Sequence, residues 1–366
     1  MCERTKHILQ SVLFLLCLFS LSTLCIFSPP KAHSDSERRP LQQLPELSLT
    51  SVTSGRFMTD FEKYTLDQFP MRDAFREIKA LISTKIFAQT DNNGLYLSDG
   101  ILSKMEYPLN SLSVAHASDR FRSIYDNYLK NTDAAVYLSV IPDKNAFLAE
   151  QSGHLSMDYS KLYSMVKEQN DFAEYIDITP FLTIQDYYAT DTHWRQESIV
   201  DAANALASAM GAELSEEYAV NTLTEPFYGV YAGQYALDVG ADSLCYLTND
   251  AIAGYRVFDH QNGKEIPVYD LDKVQGKDPY EVFLSGPLSL ITIENPMAET
   301  DKELIVFRDS FGSAIAPLLA TGYRKVTLVD IRYLPSTVLD EYIDFASQDV
   351  LFLYSSLILN NSTTMK

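Results

Sequence analysis

Two short segments about 115 residues apart carry the side chains best suited to chemistry. Asp191–Trp194 precedes a predicted helix, and Arg308–Phe311 lies where a predicted strand turns into a helix. They supply Ser310, His193 and Asp191, the residue types that serve as nucleophile, base and orienting carboxylate in serine-dependent acyl transfer. If the fold brings the two segments together, the chain holds such a site.

Ser310 follows a buried strand, predicted over residues 304–307. Sites in open parallel sheets form at the carboxyl ends of the strands, and N–H groups at the start of the next helix can stabilise an oxyanion there. The structural alternative is that Asp309 or Ser310 only caps the helix.

Asp191 and His193 suit an orienter and a base, because a carboxylate fixes the imidazole tautomer and stabilises the imidazolium. Residues at i and i+2 do not face each other on a helix, so this pairing requires a turn or extended backbone. Two alternatives stay open: Asp191 caps a helix while His193 lies on the surface, or both bind a metal ion. A metal site would need further ligands, and the sequence offers none at suitable spacing, so neither a metal nor a cofactor is predicted.

The elements around these segments alternate between apolar strands and amphipathic helices. This alternation predicts an α/β domain with a mostly parallel sheet flanked by helices, over residues 55–360. Residues 217–280 mix glycine, tyrosine, aspartate and short apolar stretches, which is typical of a β-rich insertion. Predicted strands are 134–141, 175–177, 304–307, 326–331 and 350–353, and predicted helices are 111–129, 159–167, 197–210, 311–319 (capped by Gly322) and 336–345. Residues 57–87 are predicted to form two short helices broken at Phe69–Pro70, and 92–102, with Asn-Gly and Asp-Gly turns, to form a hairpin.

The N-terminus reads as a membrane signal. Arg4 and Lys6 precede an uncharged run of 21 residues, 8–28, close to the ~20 that span a bilayer as a helix. Basic residues on this flank favour an exported remainder. Because 32–34 is a passable cleavage site, residues 1–28 are predicted to be either a signal anchor or a removed signal peptide. Residues 29–54 are predicted to be a flexible tether. The main domain is therefore expected outside the cytoplasm, held by one membrane span or secreted.

Composition excludes several classes of function. The net charge is −20, and no cluster of basic residues in the sequence offsets it, so nucleic acid and anionic lipid are expected to be repelled. Cys245 is the one cysteine beyond the N-terminal run, so no internal disulfide is expected in the exported part.

The segments around Asp191–Trp194 and Phe307–Tyr333 resemble DHHW-motif proteins and the SGNH-like domain of alginate O-acetyltransferases. Residues 69–72, 141–144 and 277–286 support this resemblance in the same order along the chain. It implies an SGNH-hydrolase-like fold in which Ser310 is the nucleophile, His193 the base and Asp191 the orienter. Gly286 and the Ser310 backbone are then the candidate oxyanion donors.

Two departures from the family pattern bear on activity. Thr192 replaces the first histidine of the name-giving motif, and Arg308 replaces the glycine of Gly-Asp-Ser. Candidates for binding substrate are Arg332, Tyr333, Lys144, Trp194 and Arg308. Each has a structural alternative, and Trp194 in particular suits a core aromatic that holds the histidine loop.

The resemblance implies an O-acetyltransferase or acetylesterase that modifies a cell-surface or exported polysaccharide in the cell envelope. A transferase needs an acetyl donor, and the resemblance suggests a membrane-bound acyltransferase as the partner that supplies it. The alternative is a non-catalytic glycan-binding or assembly protein on the same scaffold, which Arg308 and the proline after Gly286 favour.

Overall fold

The computed structural model describes residues 3–366, which form two compact units. The first contains residues 3–93 and 232–238, and the second contains residues 94–231 and 239–366. In chain order the strands are β1 His33–Ser34, β2 Arg39–Pro40, β3 Leu95–Ser98, β4 Ile101–Lys104, β5 Ala135–Ile141, β6 Glu174–Tyr175, β7 Ala219–Phe227, β8 Asp242–Thr248, β9 Arg256–Asp259, β10 Lys264–Ile266, β11 Leu290–Glu294, β12 Glu303–Arg308, β13 Lys325–Val329 and β14 Asp349–Ser355. The α-helices are α1 Glu3–Phe27, α2 Leu49–Thr53, α3 Arg56–Asp67, α4 Arg72–Leu81, α5 Ser111–Ile124, α6 Asn145–Ser152, α7 Tyr159–Gln169, α8 Val200–Ala209, α9 Val230–Tyr235, α10 Asp250–Ala253, α11 Gly312–Leu319 and α12 Ser356–Asn360.

The first unit begins with the apolar helix α1. It is 25 residues long and, by length and composition, apolar enough to cross a membrane. The short strands β1 and β2, which pair antiparallel, and the helix α2 lie within the stretch predicted as a tether. The boundaries between anchor, tether and domain stay predictions.

The helices α3 and α4 are separated as the sequence predicts. Pro70 has no N–H and disfavours a helical conformation for the residue before it, so α3 ends at Asp67. Met71 then takes a left-handed conformation with φ +57° before α4 begins. The break lets α4 start in a new direction within this unit.

The second unit is built on an eight-stranded sheet in the order β10-β9-β11-β13-β12-β14-β5-β6. The strands from β13 to β6 run parallel, whereas β10, β9 and β11 add to the edge in antiparallel pairs. The mixed, mostly parallel α/β fold with flanking helices is therefore confirmed. Strands buried on both faces read as continuous apolar runs, which explains why β5, β12, β13 and β14 are found from sequence.

Two apolar layers cover the faces of this sheet. Val306 and Leu351 pack on the side of α8 and α11, while their neighbours Phe307 and Phe352 pack on the side of α5 and α7. This alternation follows from the two-residue period of a strand. The result is a helix–sheet–helix sandwich that fixes the strand ends on which the site is built.

Two local predictions are wrong. Residues 336–345 form only a 3₁₀ stretch, Ser336–Glu341, interrupted at Val338 with φ −121°, because successive β-branched residues disfavour an α-helix there. Gly322 does not cap α11 in a left-handed conformation, since a 3₁₀ turn Ala320–Gly322 follows that helix. A Cβ at Gly322 would lie 2.7 Å from the Glu213 carbonyl oxygen, so close packing explains the glycine.

The stretch 217–280 is rich in short strands but divides between two sheets. β7 and β8 form their own antiparallel ladder, and β9 and β10 extend the main sheet. The hairpin β3–β4, predicted from its Asn-Gly and Asp-Gly turns, is confirmed.

Candidate active site

The three residues singled out from sequence meet in one hydrogen-bonded series. His193 Nε2 lies 2.7 Å from Ser310 Oγ, and His193 Nδ1 lies 2.6 Å from Asp191 Oδ1. Asp191 is 1% exposed and His193 8% exposed, so water competes little for these bonds. With the carboxylate accepting from Nδ1–H, Nε2 is left to accept the serine proton.

A tight turn makes the Asp191–His193 pairing possible. The His193 backbone N–H donates to Asp191 Oδ1 at 3.1 Å, and the His193 carbonyl accepts from the Tyr188 N–H at 3.1 Å. These bonds fold 188–193 back on itself, so the i, i+2 side chains face each other as the sequence argument requires. The helical backbone begins only afterwards, with a 3₁₀ turn Gln196–Ser198 followed by α8.

Gly229 lies against the back of Asp191. The Val230 N–H donates to Asp191 Oδ2 at 2.8 Å, and the Gly229 N–H donates to Thr190 Oγ1 at 2.8 Å. A Cβ at Gly229 would lie 2.3 Å from the Asp191 Cβ, closer than real Cβ contacts. The glycine is therefore required for this approach, and a lone glycine in a β-rich stretch gave no signal of it.

Asp242 holds the chain that leads into the turn. Its carboxylate accepts from the Ala189 N–H at 2.8 Å, the Thr190 N–H at 2.7 Å and the Thr190 hydroxyl at 2.6 Å. Sequence reasoning missed this residue, which lies far along the chain from His193, at the start of β8. Asp242 thus positions Asp191 through the backbone.

Ser310 lies just beyond the carboxyl end of β12, immediately before α11. Asp309 satisfies the turn: its carboxylate accepts from the Phe311 N–H at 3.0 Å and from the backbone and hydroxyl of Ser355 at 2.8 and 2.6 Å. Ser355 ends the neighbouring parallel strand β14. Asp309 therefore fixes the turn before α11, whose N-cap is Phe311 and has no side-chain cap, while the Ser310 hydroxyl points to His193.

Aromatic rings enclose the imidazole. Tyr280 stacks on His193 with ring centroids 3.9 Å apart and an interplanar angle of 6°, and Phe311 lies at 4.9 Å. Burial raises the pKa of Tyr280 well above its ordinary value, so this phenol stays neutral. Sequence reasoning noted Tyr280 only as part of the resemblance, and its stacking role depends on tertiary contact.

Trp194 and Gln196 bind the histidine loop to the serine helix. The Trp194 indole N–H donates to the Phe311 carbonyl at 3.1 Å, and the Gln196 amide donates to the Ala314 carbonyl at 2.6 Å. Trp194 has no exposed surface. It therefore has the core role given above as the alternative to binding substrate.

Arg308 lies in the interior, with 1% of its surface exposed. Its guanidinium donates to the Leu288 carbonyl at 3.3 Å and the Asp309 carbonyl at 3.4 Å, and lies 3.9 Å from the Asp330 carboxylate. Burial lowers its pKa from the ordinary value of 12.5. In this position Arg308 ties the loop around Leu288 to the serine turn.

Arg332 and Tyr333 follow β13. Arg332 donates two hydrogen bonds to Asp330, at 2.9 and 2.6 Å, and its guanidinium lies 5.4 Å from the Tyr333 ring centre. Tyr333 is half exposed. Of the five substrate-binding candidates it offers the most surface to a ligand, with Arg332 held beside it.

Lys144 is buried beneath the histidine loop. Its ammonium group donates to the Tyr188 carbonyl at 2.8 Å and the Ala189 carbonyl at 3.2 Å, and lies 5.1 Å from the Tyr231 ring centre. Burial lowers the pKa of Lys144 to about 7. The lysine supports the backbone that leads to Asp191 from within.

Gly286 lies in a loop of unusual backbone conformation. Leu284, Ser285 and Gly286 all have positive φ angles, a region that residues other than glycine rarely adopt. The Gly286 N–H donates to the Phe283 carbonyl at 3.3 Å, and the Ser285 hydroxyl holds the loop through Asp270 at 2.8 Å. Strained segments cluster at functional sites, so this loop merits a functional test.

The N–H groups at the start of α11 are mostly engaged. Those of Phe311, Gly312 and Ser313 donate to Asp309 Oδ1, the Asp309 carbonyl and the Ser310 carbonyl, respectively. Within residues 3–366 no acceptor faces the Ser310 N–H. This donor is therefore available beside the hydroxyl. In the same described range no group of three or more His, Cys, Asp or Glu side chains is arranged to hold a metal ion.

The fold is similar to those of solved structures, although comparison of the sequence alone finds no match. No protein-family model matches the chain, and no curated protein sequence matches it significantly. A DHHW family protein from Eubacterium siraeum is similar with a TM-score of 0.59 and 19% identity, over 75% of this chain and 95% of that one. Bacillus cereus PatB1 carrying a sulfonyl adduct is similar with a TM-score of 0.57 and 19% identity, over 72% of this chain and 97% of that one. The O-acetyltransferase domain of Pseudomonas putida AlgJ gives a TM-score of 0.43 at 14% identity, over 73% and 92% of the two chains. The resemblance to DHHW-motif proteins is thus confirmed at the level of the fold.

Proposed function

We propose that the protein is a serine-dependent O-acetyltransferase or acetylesterase that acts on a cell-surface or exported polysaccharide. One observation carries the proposal: Asp191, His193 and Ser310 form a continuous series with bonds of 2.6 and 2.7 Å. A cap or a surface histidine needs no such series. Nucleophile, base and orienter in direct contact are the arrangement that activates a serine hydroxyl.

In the first half-reaction His193 Nε2 accepts the Ser310 proton as Oγ attacks the acetyl carbonyl carbon. The tetrahedral oxyanion accepts a hydrogen bond from the Ser310 N–H. The ester C–O bond then breaks, and the imidazolium returns its proton to the leaving oxygen, which departs as an alcohol. Asp191 stabilises the imidazolium, and the stacked Tyr280 ring holds the imidazole plane between proton transfers.

In the second half-reaction His193 removes a proton from the acceptor hydroxyl, which attacks the acetyl-serine and restores Ser310. Water as acceptor makes an esterase, and a sugar hydroxyl makes a transferase. Tyr333 offers an exposed ring on which a sugar can pack. A transferase acting outside the membrane requires an acetyl donor, and a membrane-bound acyltransferase would supply it.

The location proposed for this activity is the outer side of the cell membrane. The helix α1 has the length and apolar composition of a signal anchor, with basic residues on its N-terminal flank. An enzyme held there by a single span would meet glycans at the cell surface.

A second candidate, a glycan-binding protein without turnover, draws support from one observation. The Gly286 N–H already donates to the Phe283 carbonyl, so the oxyanion would have one free donor in place of two. The two candidates differ in whether an acyl-serine forms.

The test uses the full-length protein in a neutral detergent. Turnover is measured with a chromogenic acetyl ester, and labelling with phenylmethylsulfonyl fluoride, which sulfonylates an activated serine. Ser310→Ala and His193→Ala should both abolish turnover, and peptide mapping should place the sulfonyl group on Ser310. The matched control is Ser313→Ala, since this buried serine lies nearby in α11 outside the series. Turnover that survives Ser310→Ala contradicts the proposed mechanism. A wild type that neither turns over nor takes the sulfonyl label favours the binding protein.

A further inference from the structure

A cavity of about 720 Å³ lies within the first unit, whereas the residues of the serine site all belong to the second. Ligand sites for small molecules commonly enclose ~300–1,000 Å³. The cavity residues come from the β1–β2 hairpin, α3, α4, the end of α9 and the neighbouring loops. The lining comprises Glu37, Arg39, Leu66, Phe69, Arg72, Phe75, Arg76, Lys79, Asn93 and Gln234.

The charged residues that line the cavity are mostly cations. Of its charged lining residues four are cations and only Glu37 is an anion, in a chain whose net charge is −20. Asp67 and Asp73 pair with the arginines from outside the lining, at 2.6 Å from Arg39 and 3.4 Å from Arg76. They also lie 3.6 and 3.7 Å from Arg72, so four cations face three acids. The sequence analysis expected anionic lipid to be repelled. Folding changes this locally, because Arg72, Arg76 and Lys79 on successive turns of α4 line the cavity together with Arg39 from β2.

The guanidinium groups are fixed in place but retain donors. Arg72 makes one hydrogen bond, to Glu37 at 2.5 Å, and is about 17% exposed. A guanidinium has five N–H donors, so Arg72 keeps donors for an anion as far as the described residues go. Arg76 donates to the Gly233 and Gln234 carbonyls at 2.9 and 3.3 Å, which sets its plane. Planar, fixed guanidiniums suit phosphate.

Three other lining residues, Leu66, Phe69 and Phe75, are apolar. Phe69 and Phe75 pack edge to face with centroids 5.4 Å apart, and Leu66 and Phe75 are 64% and 43% exposed. Uncovered aromatic and aliphatic surface beside fixed cations matches a ligand with an anionic head and an apolar chain. A free sugar or an inorganic anion would leave this apolar surface unused.

With α1 in the membrane, as the proposed function has it, the chain keeps the cavity close to the membrane. Arg39 follows the end of α1 at Phe27 after a short segment, and an extended chain advances at most about 3.6 Å per residue. Lipids at the membrane surface are therefore within reach of the unit. Together these observations define a site that does not depend on the serine chemistry.

We propose that this cavity binds a lipid phosphate, with the phosphate against Arg72 and Arg76 and the first part of the chain against Leu66 and Phe75. The phosphate is either the diester of an anionic phospholipid or the monoester of a prenyl carrier. Both have the same head chemistry, and the experiment separates them.

The test measures ligand binding to the full-length protein in neutral detergent by native mass spectrometry. The probes are phosphatidylglycerol, phosphatidylcholine with the same acyl chains, farnesyl phosphate and inorganic phosphate. Phosphatidylglycerol or farnesyl phosphate should bind at least about tenfold more tightly than phosphatidylcholine or inorganic phosphate, because only they combine a net negative head with a chain. Whichever of the two binds more tightly identifies the source.

Two variants and a control locate the site. Arg72→Gln should weaken binding roughly tenfold by removing charge-assisted bonds, and Phe75→Ala should weaken it severalfold by removing apolar contact. Arg324→Gln removes an ion-paired arginine of the second unit and should leave binding unchanged. Because Phe75 carries no ion pair, its variant still tests the site if Arg72→Gln unfolds. Equal binding of phosphatidylcholine, binding of inorganic phosphate as tight as that of the lipids, or wild-type affinity in the folded Phe75→Ala variant would each overturn the proposal.

Discussion

Replacing Gly229 by alanine should disable the serine site by moving its orienter. The new Cβ would lie 2.3 Å from the Asp191 Cβ and 2.4 Å from the Thr190 carbonyl oxygen, while ordinary contact begins near 3.4 Å. Restoring that contact requires a displacement of about 1 Å, and the clash is with backbone and Cβ atoms that cannot rotate away. Misplacing catalytic groups by ~1 Å can cost about 100-fold in rate. We therefore expect kcat to fall roughly 100-fold with little change in KM, because Asp191 does not touch substrate.

The assay compares initial rates on a chromogenic acetyl ester and the rate of Ser310 labelling by phenylmethylsulfonyl fluoride, which needs no acceptor. Gly254→Ala is the matched control, since this glycine has φ −90° and its nearest neighbours would lie 3.5 Å from a new Cβ. In an Asp191→Asn background Gly229→Ala should cost little more, because both changes act through the same carboxylate. A folded Gly229→Ala protein that keeps more than about a third of both rates would refute this reasoning.

Three further predictions concern the supports of the site. Trp194→Phe removes the indole bond to the Phe311 carbonyl and part of a fully buried ring, so the free energy of unfolding should fall by about 1–3 kcal/mol in urea titrations. Lys144 has a folded-state pKa of about 7 against an ordinary 10.5, so between these values the unfolded state binds more protons. The free energy of unfolding should therefore rise with pH between these values, by at most ~1.4 kcal/mol per pH unit from this group. Lys144→Met should flatten this dependence on pH, and an unchanged dependence would contradict the argument from the buried lysine. Asp242→Asn places an amide opposite N–H donors of the histidine loop, so sulfonyl labelling of Ser310 should slow severalfold. An unchanged labelling rate would show that the loop keeps its conformation without the Asp242 carboxylate.

Much of the fold could be predicted from the sequence because the signals for its strands and helices are local. Continuous apolar runs mark β5, β12, β13 and β14, and Pro70 marks the break between α3 and α4. Apolar spacing predicts a helix over 336–345 where the chain forms a 3₁₀ stretch at 336–341, because spacing does not include the cost of successive β-branched residues. The antiparallel edge formed by β9, β10 and β11 has no local signature, since pairing partners are chosen in three dimensions.

The serine, the histidine and the aspartate are determined by the sequence, since their types and their places at predicted turns already specify one chemistry. What only the tertiary structure decided is how they are held and what lies around them. Gly229 and Asp242 act on Asp191 through space, from positions whose own neighbours in the chain give no sign of it. The cationic cavity likewise exists only after folding, because Arg39 in β2 and Arg72 in α4 are separated along the chain by the helices α2 and α3. Local propensity depends on adjacent residues and can be read along the chain, whereas clash, burial and charge depend on distances that folding alone sets.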